Sequence, residues 1–322
     1  MPFRFRRREL LGLAAGLAAA PAWAAADEFV DETWHDPARQ RDLPLRVRLP
    51  DRPGPWPVVL YSHGLGGNRH GGEVWGQAWR AGGIAVVHLQ HPGSDTSVLR
   101  DGFSALRAAA NVEQLVARLA DVRFVLDDIR RRRAAGMAPW TSAEPQSLGL
   151  AGHSFGAVTV QAMAGQRYPV AAPGFTEPRF RAFIAFSPSL APGGMSAQEQ
   201  FGGVSRPFLA ITGTRDGDPL GRAGAILRRQ EVLQGLPPGA RAGLVLEDAD
   251  HATFAGRHDS GRRMAGLISR SPASTELEAA HHALVAALST RWWRWHLAGD
   301  LAAREQLRHP AGLGAGDRWT MG

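Results

Sequence analysis

The sequence predicts an α/β fold in which a mostly parallel central sheet carries helices on both faces. Short β-rich runs alternate with segments of helical spacing along most of the chain, which is typical of parallel strands joined by crossover helices. Several of these runs are apolar without a break, as expected of strands buried on both faces. The length of 322 residues suits one large domain. No linker after the N-terminal segment separates two cores, so we expect a single domain over 25–322.

The predicted strands are recognised by β-branched and aromatic residues and by the turn residues between them. In the second strand, Leu45, Val47 and Leu49 alternate with arginines, which indicates one buried face. The third reads PVVLYS and is apolar throughout. The predicted strands are 28–34, 43–49, 57–62, 84–89, 148–151, 182–186, 208–212 and 243–246.

Helices are predicted at 74–81, 104–133, 157–166 and 276–297. In the second, apolar residues recur every three or four positions, at Leu115, Leu119, Val122, Leu126 and Ile129. The Pro/Gly-rich segments 92–103, 136–147 and 188–206 are expected to run over the sheet, and the excursion 92–146 is a candidate cover for a site. Residues 299–322 are rich in glycine, and we expect a flexible C-terminal tail from about 299.

The N-terminus has the pattern of an export signal. Arginines at 4 and 6–8 precede an uncharged run at 10–26, and small residues at 22 and 24 suit a signal peptidase. The run RRRELL at 6–11 resembles a twin-arginine signal. We therefore predict a signal peptide over 1–24 and a periplasmic or secreted protein. A general secretory route and an uncleaved anchor helix are the alternatives.

Composition excludes several classes of site and partner. The chain has no cysteine, which excludes disulfides, thiolate metal sites and a cysteine nucleophile. Its net charge is +7, and all 37 positive charges are arginine, since no lysine is present. Residues 1–24 carry four arginines and one glutamate, and the remainder is therefore only 7 − 3 = +4. We expect no nucleic-acid partner, because much of the positive charge belongs to the predicted signal.

The motif GHSFG at 152–156 lies between a predicted strand and a predicted helix. A serine on such a sharp turn is held with strained backbone angles, and its hydroxyl is raised above the sheet. The following helix N-terminus stabilises negative charge there. Ser154 is therefore the predicted nucleophile; a glycine-rich connection with a capping serine is the alternative.

A serine nucleophile needs a base, and the base needs an orienting carboxylate. In strand–turn–helix sites of this kind the chain order is serine, acid, histidine. Asp216 follows the predicted strand 208–212, and His251 follows 243–246. Both are expected at the carboxyl edge of the sheet, where ligand sites of α/β proteins lie. Asp216 is the predicted acid and His251 the predicted base.

Three further carboxylates lie close to these two residues in the sequence. Asp218 is the competitor for the acid, although it precedes a proline and could simply shape the turn. Asp248 and Asp250 are expected to shape the loop before His251, and either could replace Asp216 as the acid.

The glycine-rich loop SHGLGG at 62–67 ends the predicted strand 57–62. A tight loop at this place aims a backbone N–H at the carbonyl oxygen of a bound ester. The amides of Leu65 and Phe155 are the predicted oxyanion hole, and His63 is expected to fix the loop. An ordinary turn is the alternative interpretation.

Together these motifs resemble the α/β-hydrolase superfamily, and most closely the bacterial group related to dienelactone hydrolases and platelet-activating-factor acetylhydrolases. The resemblance is carried by SHGLGG at 62–67, HPGSD at 91–95, GHSFG at 152–156, TGTRD at 212–216 and DH at 250–251. It implies hydrolysis of carboxylic esters through an acyl-serine intermediate, with no metal or organic cofactor. Dienelactone hydrolases use cysteine as nucleophile, whereas this chain has Ser154. We therefore do not expect a dienelactone as its substrate.

The expected function is thus a serine esterase acting on a small-molecule ester, and lipase, short-chain esterase, acetylhydrolase and polyester hydrolase all fit the motifs. A metal hydrolase is disfavoured, because no HExxH motif is present. One alternative is a lipid-ester hydrolase or acetylhydrolase at a membrane surface, suggested by RWWRWH at 291–296, although this run fits the core face of a closing helix better. Another is a non-catalytic binding protein of the same fold. The oligomeric state is left open.

Overall fold

A nine-stranded sheet forms the centre of the computed structural model, which describes residues 28–169, 174–219, 221, 224–257 and 270–322. The strand order is β1-β2-β4-β3-β5-β6-β7-β8-β9. The six strands from β4 to β8 in this order run parallel, whereas β1, β2 and β9 join the two edges in antiparallel pairings. The predicted signal peptide, 1–24, lies outside the described residues.

Most of the observed strands extend a few residues beyond their predicted bounds, at one end or at both. The largest extension is β5, which begins five residues before the predicted strand. The strands are β1 (Val30–Asp36), β2 (Arg41–Arg48), β3 (Trp56–Ser62), β4 (Ala85–Leu89), β5 (Ala143–His153), β6 (Phe180–Phe186), β7 (Phe208–Arg215), β8 (Arg241–Asp250) and β9 (Arg318–Met321).

The α-helices of the described residues are numbered here in chain order. They are α1 (Glu73–Ala81), α2 (Gly102–Ala108), α3 (Val112–Ala134), α4 (Phe155–Ala164), α5 (Ala197–Phe201), α6 (Ala225–Gly235), α7 (Pro272–Glu276), α8 (Glu278–Ala298) and α9 (Leu301–Arg308). Short 3-10 helices lie at Thr96–Asp101, Trp140–Ser142 and Thr253–Ala255. None of the described helices combines the length and apolar composition that a membrane crossing requires.

Two apolar cores cover the two faces of the sheet. Strand β3 contributes Val58 and Leu60 to the core beneath α3 and α4, and Val59 and Tyr61 to the core beneath α1 and α8. All four side chains are buried, which explains why the strand is apolar at every position rather than at alternate ones. The predicted architecture, a mostly parallel sheet with helices on both faces, is therefore observed.

The segment 104–133, which the sequence predicts as one helix, forms two helices, α2 and α3. The side chain of Asn111 accepts a hydrogen bond from the amide of Gln114 at 2.8 Å and so caps α3. An asparagine that satisfies a free amide in this way begins a new helix instead of continuing the old one. Helix α3, which forms residues 112–134 of the excursion 92–146, packs in the core beneath the sheet.

The prediction of a flexible tail from about residue 299 is wrong, because this segment folds onto the sheet. Asp300 caps α9 by accepting from the amide of Ala303 at 3.0 Å, and Leu307 is fully buried. Strand β9 then pairs antiparallel with β8, with Trp319 opposite Leu244. The glycine content suggested disorder, but these glycines lie in the turns between regular elements.

Candidate active site

Three of the parallel strands end at one edge of the sheet, and each is followed at once by a predicted site residue. Ser154 follows β5, Asp216 follows β7 and His251 follows β8. Because the carboxyl ends of parallel strands share an edge, residues far apart in the chain become neighbours there.

Ser154 occupies the strained turn that the GHSFG motif predicts. Its φ of 57° and ψ of −114° are unusual for a residue with a side chain. The two glycines of the motif allow close packing around it. A Cβ atom at Gly156 would lie 1.9 Å from the carbonyl oxygen of Ser62, and one at Gly152 would lie 2.5 Å from that of Gly156. Both positions therefore require glycine for the turn to approach β3.

The structure brings the side chains of Ser154, Asp216 and His251 together. His251 Nε2 lies 3.0 Å from Ser154 Oγ, and His251 Nδ1 lies 2.7 Å from Asp216 Oδ1. Asp216 and His251 are buried, whereas Ser154 is half-buried. Because a carboxylate only accepts, Nδ1 carries the hydrogen of the neutral ring, and the lone pair of Nε2 faces the serine hydroxyl. This arrangement places a proton acceptor next to the hydroxyl.

Asp216 is held as a carboxylate by its neighbours. Thr212 Oγ1 donates to its Oδ2 at 2.8 Å, and Arg229 Nε lies 3.1 Å from its Oδ1. Burial opposes ionisation, but the charge of Arg229 and the hydrogen bond with His251 outweigh it and lower the pKa of Asp216 to about 2. The group is therefore negative at neutral pH.

The other nearby carboxylates have different positions. Asp248 forms an ion pair with Arg215 on the surface, and Asp250 is 2.8 Å from Arg270. Asp216 Oδ1 is the carboxylate oxygen at hydrogen-bond distance from the His251 ring, which favours Asp216 over Asp218 as the acid.

Arg229, on α6, is a site residue that the sequence did not reveal. It is buried and donates to the main-chain carbonyls of Asp216 at 2.9 Å and Ser187 at 2.6 Å. Its Nη2 lies 3.3 Å from His251 Nδ1. The side chain thus ties the acid to the end of β6. Helix α6 has no strong apolar periodicity, so no sequence signal distinguished this arginine from the others.

His153, the variable residue of the motif, lies against His251. The two ring centroids are 4.6 Å apart, and His153 Nε2 donates to the carbonyl oxygen of His251 at 3.1 Å. Burial, with the neighbouring His251 ring adding to it, holds the pKa of His153 well below its ordinary range. A neutral ring here supports the backbone that carries the base.

The glycine loop after β3 passes directly beside the serine. A Cβ atom at Gly64 would lie 3.4 Å from Ser154 Cβ. The next residue is Leu65, and Phe155 stands at the N-terminus of α4. Among the described residues, neither the Leu65 amide nor the Phe155 amide donates to a protein oxygen, whereas the amide of Gly66 donates to Ser94 at 2.9 Å. Both predicted donors are thus available to a ligand.

Behind this loop lies a second serine–histidine–aspartate arrangement. His91 Nδ1 is 2.9 Å from Asp121 Oδ2, and His91 Nε2 is 3.0 Å from Ser62 Oγ. All three residues are fully buried. Burial, reinforced by the charge of Arg118, lowers the pKa of His91 to about 4. Because no substrate reaches these atoms, we interpret the HPGSD motif at 91–95 as support for the loop.

The start of the excursion 92–146 adjoins the same loop. A Cβ atom at Gly66 would lie 2.9 Å from Leu106 Cδ1 and 3.6 Å from Leu99 Cδ2. Leu99 is 39% exposed and so presents an apolar surface beside this loop, and Phe103, four residues further on, is 44% exposed.

Comparisons with known proteins identify the fold. No family model and no curated protein matches the sequence. Among solved structures, a ferulic acid esterase from Streptomyces cinnamoneus is similar, with a TM-score of 0.57 and 19% sequence identity. The match covers 88% of this chain and 93% of that one. The chain therefore has the α/β-hydrolase fold, and the fold prediction is confirmed.

Proposed function

We propose that this protein is a serine esterase that hydrolyses carboxylic esters through an acyl-enzyme on Ser154. The observation that supports this most directly is a continuous hydrogen-bonded path. It runs from Asp216 Oδ1 to the His251 ring at 2.7 Å and on to Ser154 Oγ at 3.0 Å. The path ends at a half-buried hydroxyl on a strained turn at the carboxyl edge of the sheet.

In the first half of the reaction, Ser154 Oγ attacks the ester carbonyl carbon while His251 Nε2 takes the hydroxyl proton. The charge that develops on the carbonyl oxygen is stabilised by the amides of Leu65 and Phe155. The imidazolium then gives its proton to the leaving alcohol as the ester bond breaks. Asp216 keeps the ring oriented and stabilises its charged form.

In the second half, water replaces the alcohol. His251 takes a proton from the water as its oxygen attacks the acyl carbon, and returns that proton to Ser154 Oγ when the acid leaves. The path needs no metal or organic cofactor. Among the described residues, no group of three or more histidine, aspartate or glutamate side chains is arranged to hold a metal ion.

The substrate we propose is a small ester with an apolar part. The fold neighbour is described as a ferulic acid esterase, and the half-exposed Leu99 presents apolar surface beside the glycine loop, so an aromatic acyl group is one candidate. The resemblance to dienelactone hydrolases and platelet-activating-factor acetylhydrolases supports the same reaction class and makes an acetyl ester the other candidate. We also propose export, on the pattern of residues 1–24.

The membrane-surface alternative loses its main support in the structure. Trp292 and Trp293 are 2% and 0% exposed and pack in the core beneath the sheet. The burial of these two rings, with the partly buried Trp295 packed against the same core, supports core packing as the role of the RWWRWH run.

The test is a panel of p-nitrophenyl esters of increasing acyl length, with methyl ferulate and an acetyl ester added, on wild type and Ser154→Ala. We expect Ser154→Ala to lose at least about 10³-fold in kcat. A fluorophosphonate should label the wild type at one residue and leave the variant unlabelled, which separates an enzyme from a binding protein. Retention of more than about a tenth of the wild-type rate by Ser154→Ala would reject the nucleophile.

A further inference from the structure

The direction of the Leu65 amide is set by the carbonyl group of the residue before it. The C=O of Gly64 and the N–H of Leu65 belong to one planar trans peptide group and point in opposite directions. The Gly64 oxygen accepts from His63 Nδ1 at 2.6 Å and from the Gly67 amide at 3.0 Å. Whatever holds this carbonyl therefore also aims the Leu65 N–H.

Arg118 reaches the same loop from α3. Its Nη1 donates to the carbonyl oxygen of His63 at 2.6 Å, and its Nη2 lies 3.5 Å from that of Gly64. Its Nε donates to Ser94 Oγ at 2.9 Å. A guanidinium is planar and rigid, so it holds the two successive carbonyls in one fixed orientation.

The same guanidinium also contacts the residue that carries the second proposed donor. Its central carbon lies 4.4 Å from the centroid of the Phe155 ring, within the range of a cation–π contact. One side chain thus touches the loop that leads to Leu65 and the ring of Phe155.

Burying the charge of Arg118 costs desolvation free energy, which packing alone would not offset. It is fully buried, and all five of its hydrogen bonds go to hydroxyl or carbonyl oxygens. Burial lowers the pKa of Arg118 to about 9, against the opposing charges of Asp121 and Asp95, so the group stays cationic at neutral pH. A buried cation that bonds loop carbonyls fits a role in fixing that loop.

We propose that Arg118 is a positioning residue of the oxyanion hole, aiming the Leu65 amide at the ester oxygen as it becomes negative and packing against the ring of Phe155, the residue that supplies the second donor. This inference rests on the proposed esterase function. Arg118 does not touch the substrate, because it lies behind the loop. It acts by holding the His63 and Gly64 carbonyls turned inward and by fixing the ring of Phe155.

The test compares an ester with its thiono counterpart, in which sulfur replaces the carbonyl oxygen. Sulfur accepts hydrogen bonds poorly, so a working oxyanion hole favours the oxygen ester more than the sulfur ester. The variants are Arg118→Met, which removes the donors, and Arg118→Lys, which keeps the charge but not the planar fork. Arg123→Met is the matched control, because Arg123 is on the same helix and donates to the carbonyl of Phe175 instead.

We expect Arg118→Met to lose about tenfold to hundredfold in kcat on the oxygen ester, less than the full loss of an oxyanion donor. The loss on the thiono ester should be below about threefold, so that the oxygen-to-sulfur preference falls. Arg118→Lys should behave like Arg118→Met, and KM should change little in either. Arg123→Met should keep the wild-type preference. The kcat values are calculated from the concentration of serine that the fluorophosphonate labels, so that unfolded protein is not included in the enzyme concentration.

A second pair of variants tests the premise on which the proposal rests, that the Gly64 carbonyl aims the Leu65 amide, and does not depend on whether Arg118→Met folds. His63→Leu removes the donor to the Gly64 carbonyl, whereas His63→Asn places an amide N–H near the position of Nδ1. The oxygen-to-sulfur preference should fall in His63→Leu and recover in His63→Asn.

Equal losses on both esters in the Arg118 variants would overturn the proposal, because a general structural defect slows both reactions alike. The absence of any loss on either ester in these variants would overturn it as well. If Ser154→Ala remains active or the wild type resists the fluorophosphonate, the esterase proposal itself fails, and that result does not depend on Arg118.

Discussion

Replacing Asp216 by asparagine tests the acid of the proposed triad with almost no change in shape. The carboxylate has two functions at its contact with His251 Nδ1, which is 2.7 Å away. It selects the ring tautomer that leaves Nε2 free to accept the serine proton, and it stabilises the imidazolium that forms. An asparagine amide removes the charge, and its NH2 group can face Nδ1 as a donor and reverse the tautomer.

The size of the effect follows from the geometry. Two unit charges about 4 Å apart attract by about 4 kcal/mol at the effective dielectric constant of about 20 that describes many protein sites. At about 1.4 kcal/mol for each factor of ten, this corresponds to about three decades in rate. The wrong tautomer adds to the loss, and the corresponding change in a known serine protease costs about 10⁴-fold. We expect kcat of Asp216→Asn to fall by about 10³-fold to 10⁴-fold with a small change in KM.

Asp218→Asn is the matched control, because it makes the same chemical change two residues away in the same loop. We expect this variant to stay within about threefold of wild type, because the carboxylate that contacts the His251 ring is that of Asp216. Both variants are measured as kcat/KM on a p-nitrophenyl ester and as the rate of fluorophosphonate labelling, which reports the reactivity of Ser154 alone. The assignment is refuted if Asp218→Asn shows the large loss or if Asp216→Asn keeps more than about a tenth of the activity.

The remaining predictions concern stability. Because the pKa of Asp216 is lowered from 3.8 to about 2, its charged form stabilises the fold above pH 3.8, and this contribution is lost as the pH falls toward 2. The difference in unfolding free energy between wild type and Asp216→Asn should therefore shrink by about 2 kcal/mol over this window, measured by urea titration; a constant difference would contradict the shift. Gly156→Ala should lower Tm and abolish activity, because its Cβ would lie 1.9 Å from the Ser62 oxygen, whereas Gly217→Ala, with its nearest atom at 4.0 Å, should be tolerated; equal Tm values in the two variants would refute this. Leu307→Ala on α9 should cost about 2–5 kcal/mol of unfolding free energy and leave kcat unchanged, and a cost below about 0.5 kcal/mol would mean that the C-terminal segment does not belong to the core.

The positions of the proposed triad could be predicted from the sequence because each residue directly follows a parallel strand. A continuous apolar run marks such a strand, and its end marks the edge of the sheet. The glycines at 152 and 156 added a local signal, since a close approach to β3 excludes any side chain there. The prediction of Ser154, Asp216 and His251 therefore depended on strand ends, chain order and the glycine pattern around Ser154, all of which the sequence shows directly.

The supporting residues could not be found in this way. Arg118 and Arg229 lie on helices, and their long side chains reach loops that are distant in the sequence. The chain contains 37 arginines, and neither spacing nor neighbours distinguish the buried ones. The C-terminal segment was missed for a related reason. Its strand β9 is short and its glycines suggested disorder, whereas pairing with β8 orders it.

The two buried arginines hold the site in the same physical way. Irregular loops at the edge of a sheet have carbonyl groups that no strand partner satisfies, and burying them without a donor is costly. Arg229 bonds the carbonyls of Asp216 and Ser187 beside the acid, and Arg118 bonds those of His63 and Ser94 beside the oxyanion loop. Five donors in one plane allow a guanidinium to connect several carbonyls at once, which the single ammonium of lysine cannot do in the same geometry. The acid side and the proposed oxyanion side of the site therefore each contain one buried cation that connects several loop carbonyls, alongside the hydrogen bonds of Thr212 to Asp216 and of His63 to Gly64.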